Sequence, residues 1–390
     1  MHQRPRRRRP VTALRAGRAD FNDREQGHIL LRLDLSIIVA TAALVALGSL
    51  VVYSATRGVL TEEDIPNRSV INKQLIFVGV GFVAAAGASI VDYRRIRAFV
   101  PLFYTASLLG LAGLFVFGSE FNNATSWYSL GFITLQPSEF AKLGLIVTMA
   151  AWFSHARSEK GLRFIDVLAG LALSGVLAAL VLAQPDYGTV MVYGAIVAAI
   201  VMIAGVRPAH VVAVIGMLLV GLVYAFNTGQ IQAYQIERFT AFADPDAQVR
   251  YNVNQSEIAI GSGGLRGSGL FNGTQNNNSL VPEKETDFIF SVLGEELGFV
   301  GGAAMLLLFG FLLLRIWRVA HLAENDFGRL ICIGVFAMIL FQAFQSVGMN
   351  MGMMPVTGIP LPLISAGGSS MITTLIAVGL VENVHAHRLR

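Results

Sequence analysis

Apolar residues in this chain come in long uncharged blocks, not at the spacing of a half-buried strand or a surface helix. The blocks are Leu35–Ala55, Gln74–Val91, Ala98–Gly118, Val167–Ala183, Thr189–Val206, Val211–Phe226, Leu297–Leu314, Leu330–Met349 and Ile364–Val381. Each is close to the ~17–25 residues that cross a bilayer as a helix. A tenth, shorter block, Glu139–Phe153, carries Glu139 and Lys142 in its first turn. The pattern predicts an all-α integral membrane protein of ten transmembrane helices. Residues 1–33 form a basic tail and 34–384 the membrane domain. Within the latter, residues 227–286 make one long structured loop between helices 7 and 8, and 385–390 form a short second tail.

Composition agrees. Of 390 residues 54% are apolar, 40 more are glycine, and only 14% are charged, against about 25% charged in a soluble domain. The mean hydropathy is +0.60. A lone cysteine, Cys332, excludes an internal disulfide framework and a thiolate metal site.

Charge sets the orientation. Nine arginines precede the first block, and with the amino terminus inside, 21 of the 29 Lys and Arg residues fall on the inner side. This asymmetry predicts a multi-pass protein of the cytoplasmic membrane with both termini cytoplasmic. The basic head runs into a full-length span, which predicts that no signal peptide is cleaved. Arg4 and Arg6–Arg9 are read as an orientation signal against anionic headgroups, and no nucleic-acid partner is expected.

Candidate chemistry then gathers on the outer side. All seven histidines lie inside in this topology, so outer-face chemistry falls to carboxylates, with an oxygen-preferring ion such as Mg²⁺ or Mn²⁺ as a conceivable companion. Glu139 and Lys142, three apart, share a helix face; they are either a functional pair or a structural salt bridge. Asp186, in the turn Gln184–Thr189, is either a helix cap or a cap that also faces a cavity. Asp287 stands where the long loop re-enters the membrane among apolar neighbours; it is either an N-cap or a carboxylate whose pKa is raised into the range of a general base. Thr286 is the competing cap. Glu295 and Glu296 lie deeper, so at least one must face protein or water. The glycines of Ile258–Leu265, with Gly267, Gly269 and Gly273, permit tight turns and close backbone approach to a ligand. The proline- and glycine-rich Asn350–Ser370 reads as a broken or re-entrant segment that must pack in protein or line a cavity.

Taken together, Gln136–Lys142, Gln184–Thr189, Ile258–Gln275, Pro282–Gly298 and Asn350–Ser370 resemble the SEDS family of shape, elongation, division and sporulation proteins, best known from RodA and FtsW. The resemblance runs from the first span to the last. Ala259–Gln275 and Pro355–Pro362 look more like the RodA branch. The chain departs from the family at Ala366, at Glu285 and around Ser126–Ser129. The resemblance implies a peptidoglycan glycosyltransferase that polymerises lipid II on the outer face of the membrane during cell elongation and shape maintenance. It places the family's essential aspartate on Asp287, as catalytic base and conceivable metal contact. The implied substrate contacts are Glu139, Lys142, Asp186, Gln255, Ser262, Gly263, Gln275, Glu283 and Ser369. Arg238 and Arg266 are candidates for the pyrophosphate, since guanidinium offers a bidentate fork, with loop solubility as their ordinary role. Glu285 is expected to raise the pKa of Asp287 or to help hold a metal. Implied partners are lipid II, the nascent glycan, a class B penicillin-binding protein and other membrane proteins of the elongation complex. The alternatives are a lipid II flippase and a division or sporulation paralogue.

Overall fold

A computed structural model describes residues 32–57, 69–121, 124–129, 131, 134–157, 161–214, 216, 248–277 and 280–388. The basic head, the second half of the seventh predicted span, the first part of the long loop and Arg238 lie outside the described residues.

Among the described residues the apolar blocks are helices. In chain order they are α1 (Leu35–Arg57), α2 (Ser69–Ile90), the short α3 (Tyr93–Ile96), α4 (Val100–Phe117), α5 (Pro137–Ala156), α6 (Phe164–Leu182) and α7 (Tyr187–Ile203). The long loop supplies α8 (Gln248–Gly263) and the short α9 (Thr274–Asn277). Three more follow, α10 (Ile289–Leu322), α11 (Asp326–Asn350) and α12 (Gly368–Ala386). Among the described residues six segments are long and apolar enough to cross a membrane: α1, α2, α3 with α4, α6, α10 and α11. The 17-residue α7 is equally apolar. The short tenth block proves to be the 20-residue α5, begun by Pro137 at a position where a missing N–H costs nothing.

Burial sorts the helices into hub and periphery. In α11, 72% of the apolar window is buried, against 11% in the α3–α4 segment. Side chains such as Val83, Phe115, Val116 and Phe117 stay exposed on α2 and α4, as a lipid-facing surface requires. α5 packs on α11 with Leu145, Ile146 and Met149 buried. Three short antiparallel strands, Ser119–Phe121, Ala124–Ser129 and Thr134–Leu135, join α4 to α5, an addition to the all-helical expectation.

α1 and α10 run antiparallel and are tied at both ends. At one end Ser54 donates to Glu296. At the other, Arg315 pairs with Asp34, whose N–H donates to Glu382 of α12 at 2.8 Å. Glu296 and Arg315 are 19 residues apart, so about 28 Å of helix separates the two ties.

Between α11 and α12, residues 351–367 are irregular: the second half is buried, with Ile359, Leu361, Leu363 and Ile364 in the core, while Met351, Met353, Val356 and Gly358 are exposed. Gly48 of α1 admits this backbone; a Cβ there would stand 2.5 Å from Ile364 Cα. The second half of the broken segment is thus packed inside protein, while its first half stays partly open.

Candidate active site

The end of the bundle that holds Ser54 and Glu296 collects most of the charged motifs. Residues 280–288 form a series of turns leading into α10. The Glu283 carbonyl accepts from the N–H groups of Thr286, Asp287 and Phe288. Phe288 occupies the N-cap position of α10 without a side-chain cap, so neither Thr286 nor Asp287 is spent on capping. The Asp287 carboxylate is left half-buried, and Gly358 of the broken segment approaches it: a Cβ on Gly358 would lie 3.6 Å from Asp287 Oδ2. Asp287 lies ahead of the spanning helix, and its pKa is raised to about 6, first by burial and then by the charge of Glu283. The sequence order suggested Glu285 as the perturbing neighbour. The turn instead makes Glu283 the one that acts, while the Glu285 carbonyl accepts from Ala366 N–H at 2.9 Å.

The glycine-rich stretch is built against protein. α10 contains a break at Gly298 (φ 63°, ψ −163°). At this break Phe299 and Val300 donate to the carbonyls of Gly264 and Leu265, while Ser268 and Gly269 donate to those of Glu295 and Glu296. A Cβ on Gly263 would sit 2.0 Å from Gly294 O, and one on Gly267 2.1 Å from Glu296 O. The close approach that glycine permits is therefore made to α10 itself. Gln255 is half-buried on α8, and the Ser262 hydroxyl donates to Ala259 O at 2.7 Å. The Arg266 side chain is exposed, while its backbone lies against Gly298 of α10.

Glu295 and Glu296 both face protein. Glu295 accepts from the N–H groups of Gln275 (2.7 Å) and Asn276 (3.1 Å), capping α9, and Glu296 accepts from Asn276 Nδ2 (3.1 Å) and Ser54. Lys284 is buried beside them and donates to Asn276 O; burial pulls its pKa down, opposed by Glu285, Glu295 and Glu296. Gln275 is held here by its backbone. Glu283 is exposed at φ +50°.

The second group lies at the start of α5. Lys142 Nζ and Glu139 Oε1 are 2.5 Å apart with both side chains almost fully buried. Asp186 caps α7 through Thr189 N–H (3.0 Å), and its other oxygen accepts from Gln136 Nε2 and Ser138 Oγ, each at 3.2 Å. Ser369 accepts from Gln136 N–H at 2.9 Å, tying α12 to α5. Asp186 and Ser369 are thus joined through Gln136, and the Tyr193 hydroxyl donates to Ser138 O at 3.0 Å.

Among the described residues no three His, Cys, Asp or Glu side chains converge as metal ligands. Four positions that the sequence reading did not single out help build this end: Ser54, Asn276, Asn350 and Ser365. Their one visible signal is a polar residue at the edge of an apolar block or in a loop, which gives no partner.

A family model described as a cell cycle protein, FtsW/RodA/SpoVE, matches residues 34–390. The peptidoglycan glycosyltransferase RodA of Treponema pallidum is 31% identical, covering 91% of this chain and 98% of its own. The stage V sporulation protein E of Bacillus subtilis is 35% identical, with coverage of 90% and 96%. Among solved structures, a chain from a peptidoglycan synthase complex that coordinates polymerization and crosslinking superposes with a TM-score of 0.78 at 31% identity, covering 92% of this chain and 99% of that one.

Proposed function

We propose a reaction for this chain from the premise that it belongs to the FtsW/RodA/SpoVE family of cell cycle proteins. It is a peptidoglycan glycosyltransferase that polymerises lipid II, a disaccharide-peptide on undecaprenyl pyrophosphate, on the outer face of the bacterial cytoplasmic membrane. RodA-like motifs in Ala259–Gln275 and Pro355–Pro362 favour cell elongation and shape maintenance as its setting. The observation that carries the mechanism is the uncommitted carboxylate of Asp287, half-buried, spent on no helix cap, with a pKa raised to about 6.

The Asp287 carboxylate accepts the proton of the acceptor sugar hydroxyl. The oxygen then attacks the anomeric carbon of the donor, the bond to lipid pyrophosphate breaks, and a β-1,4 link forms with inversion. A base with a pKa near neutrality combines an ionised fraction with useful basicity. The departing pyrophosphate gains from cationic groups fixed beforehand; Arg266 and Arg238 are assigned that part. Glu139 and Lys142, with the Asp186–Gln136–Ser369 junction, line the substrate side between α5, α7 and α12. Mg²⁺ or Mn²⁺ would have to arrive on the pyrophosphate itself, and no step runs through it. Both termini lie in the cytoplasm, and a class B penicillin-binding protein crosslinks the product.

The test is polymerisation of purified lipid II by the purified chain, with and without a class B penicillin-binding protein, comparing wild type with Asp287→Asn. The expected result is long glycan from wild type and a loss of at least about 100-fold in the variant, of the order that removal of a general base produces. Equal product from the folded variant removes Asp287 as base. Binding of lipid II without product under every condition points to transport across the membrane instead.

A further inference from the structure

The peptide that carries Asp287 is gripped from a single direction. Glu285, Thr286 and Asp287 present three successive carbonyls to the broken segment and the end of α11, and each meets a different donor. Ala366 N–H donates to Glu285 O at 2.9 Å, the Ser365 hydroxyl to Thr286 O at 2.5 Å, and Asn350 Nδ2 to Asp287 O at 2.9 Å. Asn350 is fully buried, and its amide is almost saturated. Nδ2 also donates to Ser346 O at 2.8 Å, and Oδ1 accepts from Ser291 N–H at 3.1 Å in the first turn of α10. Its own carbonyl accepts from Ser256 Oγ of α8 at 2.8 Å. Ser365 in turn accepts from Leu361 N–H at 2.9 Å.

We propose that Asn350 is the positioning residue for Asp287, with Ser365 as its second support. This rests on the reading of Asp287 as the base. Asp287 follows a turn and precedes a helix with no side-chain cap, so nothing in its own segment fixes its Cα beyond the Glu283 carbonyl. Asn350 supplies the missing constraint by spanning the Asp287 carbonyl and the Ser291 N–H with one planar amide, fixing the peptide on either side of the α10 start. Misplacing a catalytic group by about 1 Å costs on the order of 100-fold in rate. Asn350 touches neither substrate nor reacting atoms in this scheme and acts through Asp287.

The experiment compares steady-state lipid II polymerisation by full-length wild type, Asn350→Ala, Asn350→Asp, Ser365→Ala and Asp287→Asn. Asn350→Asp has the same shape and keeps the acceptor for Ser291 but removes the donor to Asp287. The expected result is a fall in kcat of tenfold or more for both Asn350 variants, a smaller fall for Ser365→Ala, and a KM for lipid II within about threefold of wild type, because interactions felt only in the transition state move kcat. Wild-type kcat in either Asn350 variant, or a raised KM with kcat unchanged, overturns the proposal. If neither Asn350 variant folds, Ser365→Ala decides, and full activity there overturns it. Wild-type activity of Asp287→Asn overturns the base reading separately, whatever the Asn350 variants do.

Discussion

Asp287 shows how much of a residue's chemistry is decided by what its neighbours leave undone. A carboxylate at the start of a helix ordinarily caps it; here Phe288 takes the N-cap position and the carboxylate is free for other work. Burial and Glu283 raise its pKa from 3.8 to about 6. In the proposed mechanism the active form is the carboxylate, so kcat/KM for polymerisation should be flat above about pH 7 and fall about tenfold per unit well below pH 6. The check is the pH profile of kcat/KM, read at lipid II well below KM, because that ratio reports the free enzyme, with Glu283→Gln expected to move the acid limb downward. The stability sign runs the opposite way. A carboxyl whose folded pKa is raised stabilises the fold fully below about pH 4 and loses that contribution as pH climbs through about 6. Activity therefore rises across the window in which this contribution fades.

At the scale of elements, α5 and α10 solve the same problem differently. α5 carries a charge pair into the protein interior, with Glu139 and Lys142 one turn apart and closed on each other. Removing one member leaves a buried charge unmatched, which typically costs about 3–5 kcal/mol. Glu139→Gln should lower thermal stability by that order. A Glu139→Leu/Lys142→Met double variant should recover most of it, and calorimetry of the detergent-solubilised protein reads both. If the double variant is stable yet inactive in polymerisation, the pair serves substrate; if it is stable and active, the pair is architectural. α10 instead admits a break at Gly298 and fills it with backbone from the glycine-rich wedge. The N–H and C=O groups freed by the break find partners in Gly264, Leu265, Ser268 and Gly269, as buried backbone groups must.

The whole molecule is a bundle with two chemically distinct ends. One holds Asp287, the Glu295–Glu296 cluster and the wedge. The other holds the Arg315–Asp34, Arg94–Glu324 and Arg157–Asp326 pairs. The proposed orientation puts the second end in the cytoplasm, where its arginines fit the rule for inner loops. Single cysteines test it directly, because the native Cys332 is fully buried. Glu324→Cys should react with a membrane-impermeant maleimide only in inverted vesicles, and Asn272→Cys only in intact spheroplasts. The reverse pattern would move Asp287 to the cytoplasmic side and end the outer-face mechanism. Because α1 and α10 are tied at both ends, the two faces belong to one packed body.

The sequence by itself determined that this chain lives in lipid, where most of its described spanning helices lie and which motifs carry charge. Those properties are local: a block of apolar residues must bury its backbone as helix in hydrocarbon, whatever surrounds it. It also singled out Asp287, because a carboxylate among apolar residues is conspicuous in one dimension. Tertiary structure alone decided that the glycines of 263–267 approach α10, that Glu283 and not Glu285 perturbs Asp287, and that Asn350 and Ser365 hold its peptide. The last of these rests on hydrogen bonds between residues 63 and 79 positions apart in the chain. A side-chain amide has no partner until the fold supplies one, and no periodicity records which partner that will be.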